Sequence, residues 1–173
     1  TTAGAWWPPP GGAQGGESVV KDRLIDRSRG DGLGWFWRLY RLRRNTKHRL
    51  VRSLCTYLMC RSAHRHGGYV GPGAEFASQP VLPHGLHGVF ISRYAVVGAG
   101  CKIYQNVTIG EVDGKAPVIG PDCLIGAGAV LVGAIRVGRG VRIGAGAVVC
   151  RDIPDGSTVV APPPRILERK QRV

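Results

Sequence analysis

Ile91, Val97, Ile103 and Ile109 stand six residues apart, and after one slip of four the same beat resumes at Ile119, Ile125, Leu131, Val137, Ile143 and Val149. Few folds accept such a period. A helix repeats its apolar positions every three or four residues and a half-buried strand every two, so neither yields a strict six. A parallel β-helix does, because the chain turns a corner after each short strand and three strands close one triangular coil. A second column, four places after each leading aliphatic, agrees: Ala95, Cys101, Val107, Cys123, Ala129, Ile135, Val141, Ala147 and Ile153 are mostly small. A narrow interior packed at ordinary density has room for one large and one small side chain per face. Glycine follows the leading aliphatic at Gly98, Gly110, Gly120, Gly126, Gly138 and Gly144, where a corner needs unusual angles or close approach. The expectation is an all-β solenoid of about four coils.

Twenty-seven glycines and 12 prolines in 173 residues would indicate disorder if they were aperiodic; here most glycines are in register. Four segments follow. Residues 1–34, with Trp6, Trp7, three consecutive prolines and no sustained apolar period, read as a flexible leader. Residues 35–68 read as a basic amphipathic α-helical arm. Trp35, Leu39 and Leu42, then Leu50, Leu54 and Leu58, recur at helical spacing, with Arg38, Arg41, Arg44, Arg49 and Arg52 off that stripe. Residues 69–160 form the β-helix, opened by Val70, Phe76 and Leu82, and 161–173 are a basic tail.

The chain begins at Thr1, which reads as a processed or truncated end, and shows no secretory signal. Its longest run of apolar residues and glycine, Leu124 to Ile135, is shorter than the roughly 20 residues of a membrane span. These features predict a cytoplasmic protein. The net charge of +13 is uneven: residues 1–68 hold 13 Lys/Arg against 4 Asp/Glu, the remainder 11 against 7. Such an arm can be a solvated helix face packed on the β-helix, the preferred reading, or can contact an anionic surface such as the inner membrane face. No zinc-finger spacing or RNA-binding aromatic signature supports nucleic acid. The five cysteines form no C-x-x-C pair, so neither a disulfide framework nor a zinc site is indicated. Cys101 and Cys123 are one coil plus the slip apart and should stack as buried thiols about 4.8 Å apart.

The interruptions of the beat carry the functional expectation. Between Ile109 and Ile119 the chain holds four residues more than a coil needs, so Glu111, Asp113 and Lys115 should stand on a polar loop, and insertions in solenoids collect on a binding face. The period also breaks at Pro83-His84-Gly85-Leu86-His87-Gly88. Counting back from Ile91 sets His84 to His87 about one coil from Tyr104, Gln105 and Asn106, so imidazoles, amides and loop are expected to converge on one side. Histidine titrates where a general base must work.

The ordered string Leu82-Pro83-His84-Gly85-Leu86-His87-Gly88, Tyr104-Gln105-Asn106-Val107-Thr108-Ile109-Gly110, Ala116-Pro117-Val118-Ile119-Gly120, Ile125-Gly126-Ala127-Gly128-Ala129 and Asp152-Ile153-Pro154 resembles the hexapeptide-repeat acyltransferases. Within them it is similar to the serine acetyltransferase-like branch, which includes O-acetyltransferases of sugars and surface polysaccharides. The resemblance implies a left-handed coil, an exception to the right-handed crossover rule, a homotrimer, and acetyl-CoA as co-substrate without a metal. It also implies direct acetyl transfer to a hydroxyl, with His84 as general base and His87 as its rival. A backbone N–H near Gly110 is the expected oxyanion donor, with Tyr104, Gln105, Asn106, Glu111, Asp113 and Lys115 around the acceptor. Ala127 and Ala145 are expected beside the pantetheine arm, and Arg165 near the CoA phosphates.

The chain departs from the serine enzymes in three ways. His84 precedes Gly88 by four residues rather than three, so a bulge is required; the acidic partner expected one coil upstream falls near Tyr69, with Glu75 a weak substitute; and the loop from Glu111 to Pro117 lacks the family's second histidine. The large helical N-terminal domain is also reduced to a short arm. These departures shift the expected acceptor to a sugar hydroxyl of a surface polysaccharide or its precursor, with L-serine, and so cysteine biosynthesis, as the alternative. A trimeric β-helix carbonic anhydrase would need more histidines around zinc than His84 and His87. A non-catalytic structural or anion-binding β-helix is the remaining alternative.

Overall fold

The structure, a computed structural model, describes residues 33–163. The leader, apart from its last two residues, and the tail from residue 164 on, with Arg165, lie outside that range. Two helices open the described chain, α1 (Gly34–Asn45) and α2 (Arg49–Arg65), and thirteen short strands follow. None of the described helices is long and apolar enough to cross a membrane.

The strands are β1 (Tyr69–Val70), β2 (Glu75–Phe76), β3 (Phe90–Ile91), β4 (Val96–Val97), β5 (Lys102–Ile103), β6 (Thr108–Gly110) and β7 (Val118–Ile119). They continue as β8 (Leu124–Ile125), β9 (Val130–Val132), β10 (Arg136–Val137), β11 (Arg142–Ile143), β12 (Val148–Val149) and β13 (Thr158–Val159). Every pairing between these strands is parallel, and they sort into three sheets, β1-β3-β6-β9-β12, β10-β7-β4-β2 and β13-β11-β8-β5. We call these sheets A, B and C. They are the three faces of a left-handed parallel β-helix of about four coils.

The six-residue beat is the inward column. Ile91, Ile109, Leu131 and Val149 are buried on sheet A; Phe76, Val97, Ile119 and Val137 on sheet B; Ile103, Ile125 and Ile143 on sheet C. Ala95, Cys101, Val107, Cys123, Ala129, Val141 and Ala147 fill the narrower corners and are also buried. Each large aliphatic so enclosed contributes about 1.5–3 kcal/mol of transfer free energy. The tight stack dictates the corner residues: a Cβ on Gly98 would lie 2.5 Å from the Gly120 carbonyl carbon and Pro121 nitrogen, so only glycine lets successive coils touch there.

Register locates both breaks. Tyr69 pairs with Phe90 and Val81 bridges to Lys102, a step of 21, whereas Phe90 pairs with Thr108, a step of 18. The corner between Val81 and Phe90 therefore carries three extra residues. Leu86 within it is buried and anchors the bulge, and Gly85 and Gly88 take positive φ to turn it. Val96 pairs with Val118, a step of 22, so the four-residue slip lies after Gly110.

The helices pack on the first coil by a face that keeps only Leu39 and, in part, Leu58 of the expected stripe. Phe36, Trp37, Leu39 and Tyr40 of α1 and Cys55, Met59 and Ala63 of α2 are buried, whereas Trp35, Leu42, Leu50 and Leu54 of the expected stripe are exposed. The reason is aromatic. Trp37 and Tyr40 each meet Phe76 edge to face, at 5.2 and 5.5 Å between centroids, a geometry favoured by ring quadrupoles. The Tyr40 hydroxyl donates to the Ala74 carbonyl and accepts the Phe76 N–H. Helix α2 ends in a Schellman turn: Gly67, at φ 64°, donates to His64 O and Gly68 N donates to Ala63 O. That turn delivers the chain into β1 and leaves His66 beside the bulged corner.

Candidate active site

Each coil passes one corner between sheets C and A, and the corners stack. Asn106 N donates to His87 O, Gly128 N to Gln105 O and Gly146 N to Ala127 O, the same bond on three successive storeys. His87, Gln105, Ala127 and Ala145 therefore form one column along the β-helix. Asn106, Gly128 and Gly146 hold the positive φ of the turn, with space around both glycines. Two storeys of alanine and glycine make a bare shelf below an upper end crowded with imidazole and amide.

At that upper end the His87 Nδ1 lies 2.6 Å from the His84 carbonyl oxygen. A carbonyl only accepts, so Nδ1 is the donor in this contact, and in the neutral ring Nε2 is then the nitrogen without a proton. The bulge thus does chemical as well as geometric work, since its first histidine orients its second. The His84 ring lies 6.1 Å from Tyr104. His66, which the sequence pattern assigned only to the end of the arm, stands 5.3 Å from His87, edge to face, and accepts the Gly88 N–H through its carbonyl. The signal that finds His66 is the 21-residue step of the first coil, which carries His87 back to it. The Gln105 Oε1 is buried without a hydrogen-bond partner.

The polar loop does not join this cluster within one chain. It leaves sheet A at the opposite edge, after Gly110, which pairs with Val132 in the ladder. At about 3.3 Å per residue, the strand from Gln105 to Gly110 separates the two edges by more than ~10 Å. The expected convergence on one side is thus corrected to two edges of one sheet. The loop is a tight hairpin, Val112 and Lys115 exchanging both backbone bonds around Asp113 and Gly114 at positive φ. Glu111 accepts a hydrogen bond from Ser92 in a cleft of about 320 Å³ lined by Tyr69, Phe90, Arg93, Thr108 and Gly110. Glu75 is exposed on sheet B, in a cleft with Arg43, Arg44 and Arg52. Among the described residues no group of three or more His, Cys, Asp or Glu gathers as a metal site.

The bacterial transferase hexapeptide signature (six repeats) matches residues 116–151. A serine acetyltransferase of Synechococcus elongatus is 43% identical over 107 residues, 60% of this chain and 43% of that protein. One from Staphylococcus epidermidis is 32% identical over 139 residues, covering 78% and 62%. The crystal structure of the Brucella abortus serine acetyltransferase in complex with coenzyme A superposes with a TM-score of 0.65 at 31% identity, covering 75% of this chain and 53% of that one. The chain belongs to the hexapeptide-repeat acyltransferase superfamily. Within it the chain falls in the serine acetyltransferase-like branch.

It spans about half the length of the curated relatives it matches, 43% to 48% of the first four. The stacked cysteines of this hexapeptide-repeat coil are buried and free, Cys101 Sγ donating to Gly120 O at 3.3 Å and Cys123 Sγ to Gly138 O at 3.0 Å. The hydrogen bond to Cys123 and burial push the Cys101 thiol up, so it stays neutral.

Proposed function

We propose that this chain is an acetyl-CoA-dependent O-acetyltransferase whose acceptor is L-serine. The observation that carries the acceptor is the match to serine acetyltransferases from several bacterial lineages, together with solved serine acetyltransferases in complex with coenzyme A and with serine. It outweighs the missing loop histidine, which favoured a sugar.

A hydroxyl is a poor nucleophile at neutral pH, so a base must take its proton during attack. His87 is the base we favour over His84, because the bond from its Nδ1–H to the His84 carbonyl leaves Nε2 with the lone pair. As the hydroxyl oxygen attacks the thioester carbonyl carbon, Nε2 takes its proton. The tetrahedral oxyanion then collapses, the C–S bond breaks, and the imidazolium returns that proton to the departing thiolate. His84, beside Tyr104, is available to position the acceptor, with the Gln105 side chain behind it.

The bare corners at Ala127 and Ala145 suit the pantetheine arm, because side chains there would occupy its path; Arg165 is assigned to the CoA phosphates. In the homotrimer that the family resemblance implies, we place sheet A's far edge on one subunit against the His87 corner of the next. Gly110, as oxyanion donor, and Glu111, Asp113 and Lys115, as acceptor contacts, then complete a site that one chain leaves split.

Acetyl-CoA turnover, followed by thiol release, tests this against serine, free sugars, nucleotide sugars and glycan fragments. We expect kcat/KM for serine to exceed every sugar. The reverse order supports the second reading, a sugar hydroxyl acceptor, which the histidine-free hairpin at Val112–Lys115 favours. Absence of thiol release with all acceptors indicates a non-catalytic β-helix.

A further inference from the structure

Helix α2 is apolar on two opposite faces. One is spent on the fold: Cys55, Met59 and Ala63, four residues apart, are buried. The other, Leu50, Leu54 and Tyr57, faces solvent with 86%, 58% and 61% of its surface exposed. These positions follow i, i+4, i+7 and make a stripe about 10 Å long. On α1, Trp35 and Leu42 are likewise 60% and 51% exposed. These side chains project from a hairpin whose opposite face is latched to the first coil through Tyr40, so they are not core residues awaiting a place.

The charge on the hairpin itself has one sign. From Leu33 to Ala74 the chain carries nine Lys/Arg and no Asp or Glu. Arg43, Arg44 and Arg52 bond neutral oxygens, of Thr56, Phe76 and Thr46, and share their cleft with one carboxylate, Glu75, so the hairpin keeps a large positive excess. Arg61 continues the stripe one turn beyond Tyr57, at the rim of a cleft these two residues share with Tyr69 and Phe90, and Arg49 opens its helix.

We propose that this outward face of the α1–α2 hairpin docks on an anionic lipid surface, lying flat with Leu50, Leu54 and Tyr57 in the headgroup–acyl boundary and the guanidinium groups on lipid phosphates. Exposed leucine and aromatic side chains interleaved with arginine are what an interfacial helix presents. A second hairpin of this chain is a poor occupant, because nine like charges would meet nine. A nucleic acid would use the arginines and leave the leucines in water. This surface is separate from the proposed acetyl-transfer site and does not depend on that reading.

The full chain is sedimented with vesicles of phosphatidylcholine alone or mixed with phosphatidylglycerol. Binding is expected to the mixed vesicles only and to fall as salt rises. Arg49→Gln with Arg61→Gln should weaken it roughly tenfold or more, and Leu50→Ser with Leu54→Ser should abolish it, with far-UV circular dichroism unchanged because all four side chains lie on the outward face or helix entrance. Equal binding to both vesicle types, or unaltered binding by either double variant, overturns the proposal. So does displacement from vesicles by duplex DNA or RNA. A drop in oligomer mass by light scattering in the leucine variant would instead mark the stripe as a subunit contact and would equally overturn it.

Discussion

Tyr40→Phe removes one oxygen and little else. The ring stays, with its edge-to-face contacts to Trp37 at 5.6 Å and Phe76 at 5.5 Å, so buried apolar area is unchanged. The hydroxyl bonds Ala74 O at 3.1 Å and Phe76 N at 3.2 Å, and both bonds are buried. The neighbouring amides of Glu75 and Ala77 donate to Ala95 and Val97 in the next coil, which leaves Phe76 N pointing outward to Tyr40. Losing the hydroxyl therefore strands a donor and an acceptor at the top of sheet B. A buried unsatisfied group costs about 1–3 kcal/mol, and the mean net worth of each bond is about 1 kcal/mol. We expect a loss of about 2 kcal/mol, or roughly 6–10 °C in Tm for a folded unit of this size. Differential scanning calorimetry measures the first, and hydrogen exchange at the Phe76 amide reports whether the latch has opened. A Tm within about 1 °C of the parent, with the Phe76 amide still protected, would refute the view that this hydroxyl holds the hairpin to the β-helix.

Three further outcomes are expected. His87→Ala should lower kcat by about 10²–10⁴ in the thiol-release assay, as loss of a general base does, whereas His84→Ala, which keeps the carbonyl that orients His87, should lower it less; the opposite ranking makes His84 the base. Gly68→Ala would set a Cβ 2.4 Å from Leu86 O and 2.8 Å from Val89 O, so the bulged corner must move; we expect about 3 kcal/mol of destabilisation by urea unfolding and a fall in activity as His66 parts from His87. Iodoacetamide on the native protein should label exposed Cys150 and spare Cys101, by mass spectrometry. Because Cys101 is held above its ordinary 9.0 in the fold, the unfolded chain releases that proton first, so this stabilisation is intact below about pH 9 and declines above it.

The β-helix was legible because one physical constraint, a three-cornered coil with a dry interior, acts on every sixth residue. Ile91 to Val149 and the small column from Ala95 to Ala147 needed no knowledge of anything distant. The helical arm was legible as helix, but its buried face was not. Leu50 and Leu54 satisfy the periodicity rule as well as Cys55 and Met59 do, and periodicity cannot say which of two apolar faces meets the core; Phe76, beyond both helices, decides how the hairpin docks through Trp37 and Tyr40. The site was legible in part. His87 above Gln105 follows from counting coils, but the loop's departure from the far edge depends on which corner receives the slip. His66 required the 21-residue step, which no hexapeptide reveals.

Register along the coils runs 21, 18, 22 and 18 residues, read from Tyr69, Phe90, Thr108, Val130 and Val148. Both irregular steps are taken up outside the ladder, at a corner, and the column above and below each one resumes with the same residues facing in. Chain length is thus free to vary at two addresses without re-registering a single strand. One address sets the histidines, the other the histidine-free hairpin, and between them lies an invariant stack. Transplanting a longer, histidine-bearing loop between Gly110 and Val118 should therefore fold as readily as the parent and, on the proposed function, alter which hydroxyl is accepted while the shelf at Ala127 and Ala145, proposed for the donor, keeps its geometry.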